Sequence, residues 1–363
     1  MILPIRTSGY VSVRGILILL LFLTPFKHMV FGQEHLLCKQ PVVNIKVKNQ
    51  VQQLKSMQRS AVVEKLIRVY FHICRNDDGT NAAVSLSQIY SEFDILVSDY
   101  ANGDICFALM GIDFVDDTDV NAMDITDDEV ELSSYFIPGC LNIFYHRSLM
   151  EGTTTWDGYA YEIPGIFLSM SSGGIGQYNL ISHEVGHCLG LLHTFETEDG
   201  AGYIDGTNCT TSGDCVCDTN ADPWGGGACF TYSDCAYTGT CTDPSGATSY
   251  SPPYSNIMSY WGLAGCTLNT LTPEQFDRCH DYLDTSAILE NIQSSPSLLY
   301  ESTTVASGYV MISAINDLST SGVVILSNSV EATLCSRSVS LTPGFSAQPT
   351  SGIVRVRPTI CDY

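Results

Sequence analysis

The chain has 363 residues, enough for two domains with separate cores or for one large domain with appendages. Its 16 Lys and Arg residues against 39 Asp and Glu residues give a net charge of −23, which argues against nucleic acid and anionic membranes as partners because both would repel the protein. The 45% hydrophobic content argues against intrinsic disorder, and 15 cysteines are typical of a protein from an oxidising compartment.

The N-terminus has the pattern of an export signal. Two arginines precede the apolar run 15–24, and Val30 and Gly32 stand at the −3 and −1 positions of a cleavage site. The run is shorter than the roughly 20 residues of a membrane span, although an uncleaved anchor remains the alternative. We therefore expect residues 1–32 to be a signal peptide and the mature protein to be secreted, extracellular or at the cell surface, without a membrane span.

Strands and helices follow a polar segment, residues 33–64, which we interpret as a pro-segment or N-terminal arm. Apolar residues at helical spacing predict a helix capped by Ser87, and a second helix is predicted at about 178–189. Runs of β-branched and aromatic residues predict strands at 65–74, 105–114, 140–145 and 165–170. This mixture predicts an α/β unit over about residues 65–195.

The character of the chain changes after this unit. Residues 196–263 are rich in Gly, Asp, Ser, Thr and Pro and contain six cysteines, so we expect an irregular subdomain held by disulfides. Thr272 opens a capping box with Pro at the first helical position, which predicts a helix to about residue 292. The tail, 294–363, alternates apolar and small polar residues and predicts a small all-β appendage without an evident repeat.

One segment carries the chemistry: His183-Glu184-Val185-Gly186-His187-Cys188-Leu189-Gly190-Leu191-Leu192-His193. Positions i and i+4 share a helix face, so His183 and His187 can bind one ion, while Glu184 is placed as a base beside it. A continued helix would turn His193 away, so the chain must bend at Gly190, which can take a positive φ. Three imidazoles with a fourth position open are the arrangement of a catalytic zinc.

Further segments carry a family resemblance. The eleven residues from His183 to His193 match the extended zinc motif of the metzincin endopeptidases, and Thr194-Phe195 follows as in the pappalysin (cytophagalysin) branch. Residues 213–219 (GDCVCDT) resemble the Gly-Asp-x-Val-x-Asp-Thr loop of that branch, although Asn220 stands where Pro is usual. Residues 256–260 (NIMSY) are similar to its Met-turn. The chain thus resembles the pappalysin family over about residues 65–292.

The resemblance implies roles for two residues of the Met-turn. Met258 would lie under the metal, and the Tyr260 hydroxyl would stabilise the oxyanion of the transition state. Glu184 would take a proton from the zinc-activated water and deliver it to the leaving amine. Relatives also carry calcium, for which Asp214 and Asp218 in the irregular segment are candidate ligands, although an acidic loop is usually just solvated.

The cysteines leave alternatives open. Cys215-x-Cys217 could belong to a second zinc site, but disulfides are favoured in an exported chain. An odd number of cysteines leaves at least one unpaired, with Cys188 and Cys38 as candidates. A Cys38 thiolate in the arm would cap the zinc and hold a zymogen inactive.

These features predict an α+β fold. It would contain a metzincin-like catalytic domain at 65–293 and a small β-rich domain at 294–363. In the catalytic domain, a twisted mixed sheet with two long helices would precede the irregular subdomain and a C-terminal helix. The predicted function is a secreted zinc endopeptidase acting on proteins or peptides. The alternatives are an inactive zinc- and calcium-binding adhesion or scaffolding module, and a zinc amidase acting on another substrate such as cell-wall peptide. Cell-surface attachment or sorting through the tail is a further hypothesis.

Overall fold

The computed structural model describes residues 64–126, 129–161 and 167–357, together with the backbone of residues 35–39. The predicted signal peptide and most of the predicted arm lie outside this part of the chain. Within it, no helix is both long enough and apolar enough to cross a membrane.

A mixed, eight-stranded sheet organises the first half of the described chain. Its strands are β1 His35–Lys39, β2 Lys65–Arg75, β3 Ile105–Asp116, β4 Ala122–Asp124, β5 Leu141–His146, β6 Ser148–Glu151, β7 Thr154–Tyr161 and β8 Phe167–Ser171. They are ordered β3-β2-β5-β8-β7-β6-β4, and β1 pairs with β7. Strands β3, β2, β5 and β8 are parallel neighbours, whereas β7 runs antiparallel to β8. The predicted mixed sheet is therefore confirmed.

Six helices accompany the sheet in the described residues. They are α1 Leu86–Tyr100, α2 Thr118–Asn121, α3 Glu129–Leu132, α4 Leu180–Cys188, α5 Pro273–Thr285 and α6 Ala287–Glu290. The prediction that Ser87 caps α1 was wrong, because Ser85 is the N-cap and forms a capping box with Gln88. The predicted helix to residue 292 ends at Thr285, and Ser286 caps the separate short helix α6.

The main core lies between the sheet and helices α1 and α4. It includes fully buried residues of β2 such as Ile67 and Phe71, of α1 such as Leu96, and of α4 such as Val185. Strand β2 is buried along most of its length because both faces of the sheet are covered, and this explains its nearly continuous apolar sequence. The core thereby fixes α4, which carries the histidine motif, against the sheet.

Disulfides hold the irregular segment, as predicted. They join Cys209 to Cys217, Cys229 to Cys241 and Cys235 to Cys266. The bond at Cys217 contradicts the alternative of a second zinc site at Cys215-x-Cys217. Six further described cysteines form no disulfide and are buried, where a thiol packs as a small apolar group: Cys74, Cys140, Cys188, Cys215, Cys279 and Cys335.

The tail is all-β, as predicted, and its strands pair in parallel. The extended run β9, Ser295–Cys335, pairs with β10 Ser338–Ser340, β11 Phe345–Pro349 and β12 Ile353–Arg357. Each paired residue lies 21 or 22 positions further along the chain, as in Val324 with Phe345. The tail therefore winds in stacked coils, a repeat that the sequence does not display.

Candidate metal centre and active site

Helix α4 and the turn that follows it place three histidines together. His183 and His187 lie one turn apart on α4, and both are buried. The helix ends at Cys188, and Gly190 has a φ of +84°, so the predicted bend is present. After this bend, the His193 side chain lies beside those of His183 and His187, and it is also buried.

Two backbone carbonyls orient the first two imidazoles. His183 donates from Nδ1 to the carbonyl of Ile257 at 2.7 Å, and His187 donates from Nδ1 to the carbonyl of Leu191 at 2.9 Å. Because a carbonyl only accepts, each Nδ1 carries the proton and each Nε2 is left with its lone pair. Burial lowers the pKa of His183 to about 4 and lowers the pKa values of His187 and His193 well below their usual range, so the imidazoles are neutral, as metal ligands must be.

The spacing of the three Nε2 atoms suits a tetrahedral ion. All three Nε2 to Nε2 distances are 3.2 Å. Nitrogens bound to one zinc at about 2.0–2.1 Å in a tetrahedron lie about 3.3–3.4 Å apart. The Nε2 lone pairs of His183 and His187 and the Nε2 atom of His193 face one another in a buried place, an arrangement that a bound cation would stabilise. These are the only three His, Cys, Asp or Glu residues that come together in this way in the described part of the chain.

Glu184 lies against strand β7, beside the histidines. Its side chain is fully buried. A Cβ atom built on Gly158 would lie 2.2 Å from Glu184 Oε1 and 2.7 Å from its carboxyl carbon. The carboxylate therefore occupies the space that the missing side chain at Gly158 leaves open. Nothing in the local sequence around residue 158 signalled this contact, which depends on the register of the sheet.

The Met-turn packs directly beneath helix α4. Met258 is fully buried, and a Cβ atom on Gly186 would lie 2.5 Å from its sulfur. The Asn256 side chain shapes the turn, since its Oδ1 accepts from the backbone N–H of Met258 at 2.9 Å and its Nδ2 donates to Gln275 at 2.8 Å. The same turn supplies the Ile257 carbonyl that orients His183. The resemblance thus placed Met258 correctly against the histidine helix.

Tyr260 lies at the edge of the histidine cluster. Its ring centroid is 5.0 Å from that of His193 and 6.0 Å from that of His183. Phe195 stacks on His193 at 4.8 Å with an interplanar angle of 7° and contacts Tyr260 at the same centroid distance. The half-buried Tyr260 ring is thus held between aromatic rings beside the histidine cluster.

Of the two predicted calcium ligands, only Asp214 retains a buried oxygen that makes no hydrogen bond. Its Oδ1 accepts from the Val216 N–H, but its Oδ2 is buried without a hydrogen-bond partner, as is the Thr219 hydroxyl. Burial raises the pKa of Asp214 to about 7, even though the hydrogen bond from the Val216 N–H acts to lower it. Asp218 instead uses one carboxylate oxygen to accept from the N–H of Glu274 at the start of α5.

Next to its short pairing with β6, the edge of β7 that faces away from β8 carries the backbone of residues 35–39. This segment, β1, runs parallel to β7, and Cys38 pairs with Gly158. Gly158 is the residue against which the Glu184 carboxylate lies. Residues 35–39 of the predicted arm thus pass along the strand that lies against Glu184.

Comparisons with known sequences and solved structures gave the following similarities. No family model matches the chain. An extracellular metalloprotease of Colletotrichum graminicola is 28% identical over 214 residues, covering 53% of this chain and 68% of that protein. Pappalysin-1 of Homo sapiens is 33% identical over 162 residues, covering 40% of this chain but only 9% of pappalysin-1. A promirolysin mutant of Tannerella forsythia is 19% identical with a TM-score of 0.48, covering 70% of this chain and 97% of that one.

The three-histidine centre and these sequence relatives define the class of the protein: it is a metalloendopeptidase. Within that class its sequence is similar to pappalysin-1, in agreement with the resemblance of the motifs from His183 to Tyr260.

Proposed function

We propose that the protein is a secreted zinc endopeptidase in which His183, His187 and His193 bind the zinc and Glu184 is the general base. The observation that carries this proposal is the set of three Nε2 atoms at mutual distances of 3.2 Å, with the buried Glu184 carboxylate on the next residue of the same helix. Secretion is supported by the export signal in the sequence and by relatives named extracellular metalloproteases.

The mechanism assigns one task to each group. Zinc, when bound, lowers the pKa of a bound water to about 7 and polarises the scissile carbonyl. Glu184 accepts a proton from the attacking water on its carboxylate and returns it to the leaving amine nitrogen. The Tyr260 hydroxyl donates a hydrogen bond to the oxyanion that forms on the substrate carbonyl. The backbone carbonyls of Ile257 and Leu191 keep two imidazoles in the metal-binding tautomer throughout.

The substrate would bind as an added strand on the edge of β7 that faces away from β8, in place of β1. An extended peptide can add to such an edge through main-chain hydrogen bonds, which suits an enzyme that cleaves many sequences. Gly158 on this edge lies against Glu184, so a peptide bond next to it would face the base. In the described chain, β1 occupies this edge. Residues 33–64 therefore act as a pro-segment that keeps the enzyme latent, whether or not the Cys38 thiolate also binds the zinc.

Casein hydrolysis by the purified exported chain tests this function. We expect cleavage that stops when a chelator removes zinc and returns with stoichiometric zinc, because no hydrolysis can proceed without the activated water. If the full chain is latent, a chain beginning at residue 65 should cleave. Failure of both forms to cleave after zinc loading would contradict the endopeptidase and favour the inactive scaffolding module, whereas release of cell-wall peptide alone would favour the amidase.

Calcium is proposed to bind at Asp214. The carboxylate oxygen without a hydrogen-bond partner and the Thr219 hydroxyl are the oxygen donors that calcium prefers, and backbone carbonyls of the same loop can complete the shell. Asp218 is the weaker candidate for a calcium ligand, because one of its carboxylate oxygens already accepts a hydrogen bond from the Glu274 N–H. Such a site would stabilise a segment that has little regular secondary structure.

Adding calcium to the zinc-loaded protein should raise its melting temperature. At 100 times the dissociation constant, binding contributes about 2.7 kcal/mol, which corresponds to a shift of several degrees for a protein of this size. The shift should disappear in Asp214→Asn and persist in Asp205→Asn, an exposed acid in the same segment. An equal shift in both variants would contradict the assignment.

The tail is proposed as a separate β-rich domain at 294–363, following the protease domain at 65–293. Its coils bury a core of their own, which includes Ala314, Leu326 and Leu334. It also contacts the sheet, since Thr333 donates to the carbonyl of Met110 at 2.6 Å. Sorting or cell-surface attachment through this domain remains our hypothesis for its role.

A further inference from the structure

A carboxylate outside every motif lies between the third histidine and the Met-turn. Asp222 accepts hydrogen bonds from three groups: the Thr194 hydroxyl at 2.6 Å, the indole N–H of Trp261 at 3.1 and 3.2 Å, and the backbone N–H of Trp224 at 3.1 Å. Burial raises the pKa of Asp222 to about 6, so at pH 7 the carboxylate is mainly ionised and acts only as an acceptor.

Each of these partners is joined to the active site. Thr194 directly follows His193 in the chain, and its own N–H donates to the carbonyl of Met258 at 3.1 Å. Trp261 directly follows Tyr260 and is fully buried. The Trp224 ring contacts Tyr260 at a centroid distance of 6.2 Å. One carboxylate thus connects the segment that carries His193 with the segment that carries Tyr260.

The position of His193 depends on such a connection. His183 and His187 are fixed by a helix, whereas His193 follows a bend and lies in a stretch without regular secondary structure. Residues near a metal site that orient its ligands through hydrogen bonds typically affect metal affinity or activity by about 10–100-fold. A short, charge-assisted bond to the residue after His193 is suited to this task.

We propose that Asp222 is a positioning residue that holds His193 and Tyr260 in register with each other, through the Thr194 hydroxyl and the Trp261 indole. This inference rests on the proposed zinc endopeptidase function. Asp222 touches neither the substrate nor the ion. Its effect is to keep the third imidazole and the oxyanion donor at a fixed separation, so its loss should affect both zinc affinity and turnover.

Zinc affinity, measured by competition with a chelator on the full chain, is the primary test. We expect Asp222→Ala to weaken zinc binding by about 10–100-fold. Asp222→Asn should stay within a few-fold of the wild type, because its amide oxygen can accept from Trp224 and Trp261 while its amide group donates to the Thr194 oxygen. The zinc-saturated Asp222→Ala enzyme should also show a lower kcat on a peptide substrate, with a smaller change in KM.

A second variant distinguishes the hydrogen bond between Asp222 and Thr194 from general packing around Asp222. Thr194→Val removes the hydroxyl at nearly constant volume and should weaken zinc binding on its own. It should add little in the Asp222→Ala background, because the two residues act through one hydrogen bond. Asp205→Ala, which removes an exposed carboxylate of the same segment, is the matched control and should leave zinc affinity unchanged.

Two results would overturn the inference. Wild-type zinc affinity in Asp222→Ala, with only a lower melting temperature, would reduce Asp222 to a structural brace while leaving the proposed function intact. Full additivity of Asp222→Ala and Thr194→Val would show that they do not act through one bond. A wild-type chain that neither binds zinc nor cleaves casein would instead overturn the proposed function itself, and the inference with it.

Discussion

Replacement of Glu184 by alanine or glutamine is expected to lower peptide hydrolysis by at least about 10³-fold, since a positioned general base contributes about 10²–10⁴ in rate and here also serves as the acid. Zinc binding should persist, because the three Nε2 atoms that face one another belong to other residues. The measurement is casein or peptide turnover beside zinc content for the wild type and both variants.

The glutamine variant is the sharper of the two. It keeps the size of a side chain that is fully buried against β7, so its loss of activity reports the missing carboxylate and not a cavity. His187→Ala is the complementary variant, expected to lose zinc and activity together. Near-normal turnover in Glu184→Gln would remove Glu184 as the base and require another proton acceptor at the site.

The metal centre could be predicted from the sequence because its geometry is local. The i, i+4 spacing places His183 and His187 on one face of a helix. Gly190 tolerates the positive φ that the bend after this helix requires. The structure places the three imidazoles as this reasoning required. Met258 and Tyr260 lie far along the chain, and only the family resemblance placed them beside the histidines.

Contacts that depend on sheet register or on irregular loops could not be predicted. The approach of Gly158 to Glu184 follows from the pairing of β7 with β8, which no residue near 158 reveals. Asp222 is one acid among several in a segment without periodicity, and its partners lie 28 and 39 residues away. The alternating tail predicted strands, but alternation says nothing about parallel pairing or about partners 21 residues on.

The placement of Glu184, the proposed base, can be tested without replacing Glu184 itself. Gly158→Ala is expected to lower turnover by about 10²-fold, because a displacement of the order of 1 Å at a catalytic group has an effect of that size. The new Cβ would lie 2.2 Å from Glu184 Oε1, so the carboxylate must move. Zinc affinity should remain close to the wild-type value. The measurement is kcat on a peptide, with zinc affinity by chelator competition.

The free energy of unfolding provides the control for this prediction. Overpacking of a buried site typically destabilises a protein by about 1–3 kcal/mol, whereas Gly→Ala in a strand without a clash would stabilise it. In the Glu184→Ala background the clashing atoms are absent, so Gly158→Ala should there become neutral or stabilising. If Gly158→Ala destabilises the wild type and the Glu184→Ala variant equally, the strain lies in strand β7 itself and not at the carboxylate. If the destabilisation caused by Gly158→Ala disappears in the Glu184→Ala background, the open space at Gly158 is what positions Glu184 for proton transfer.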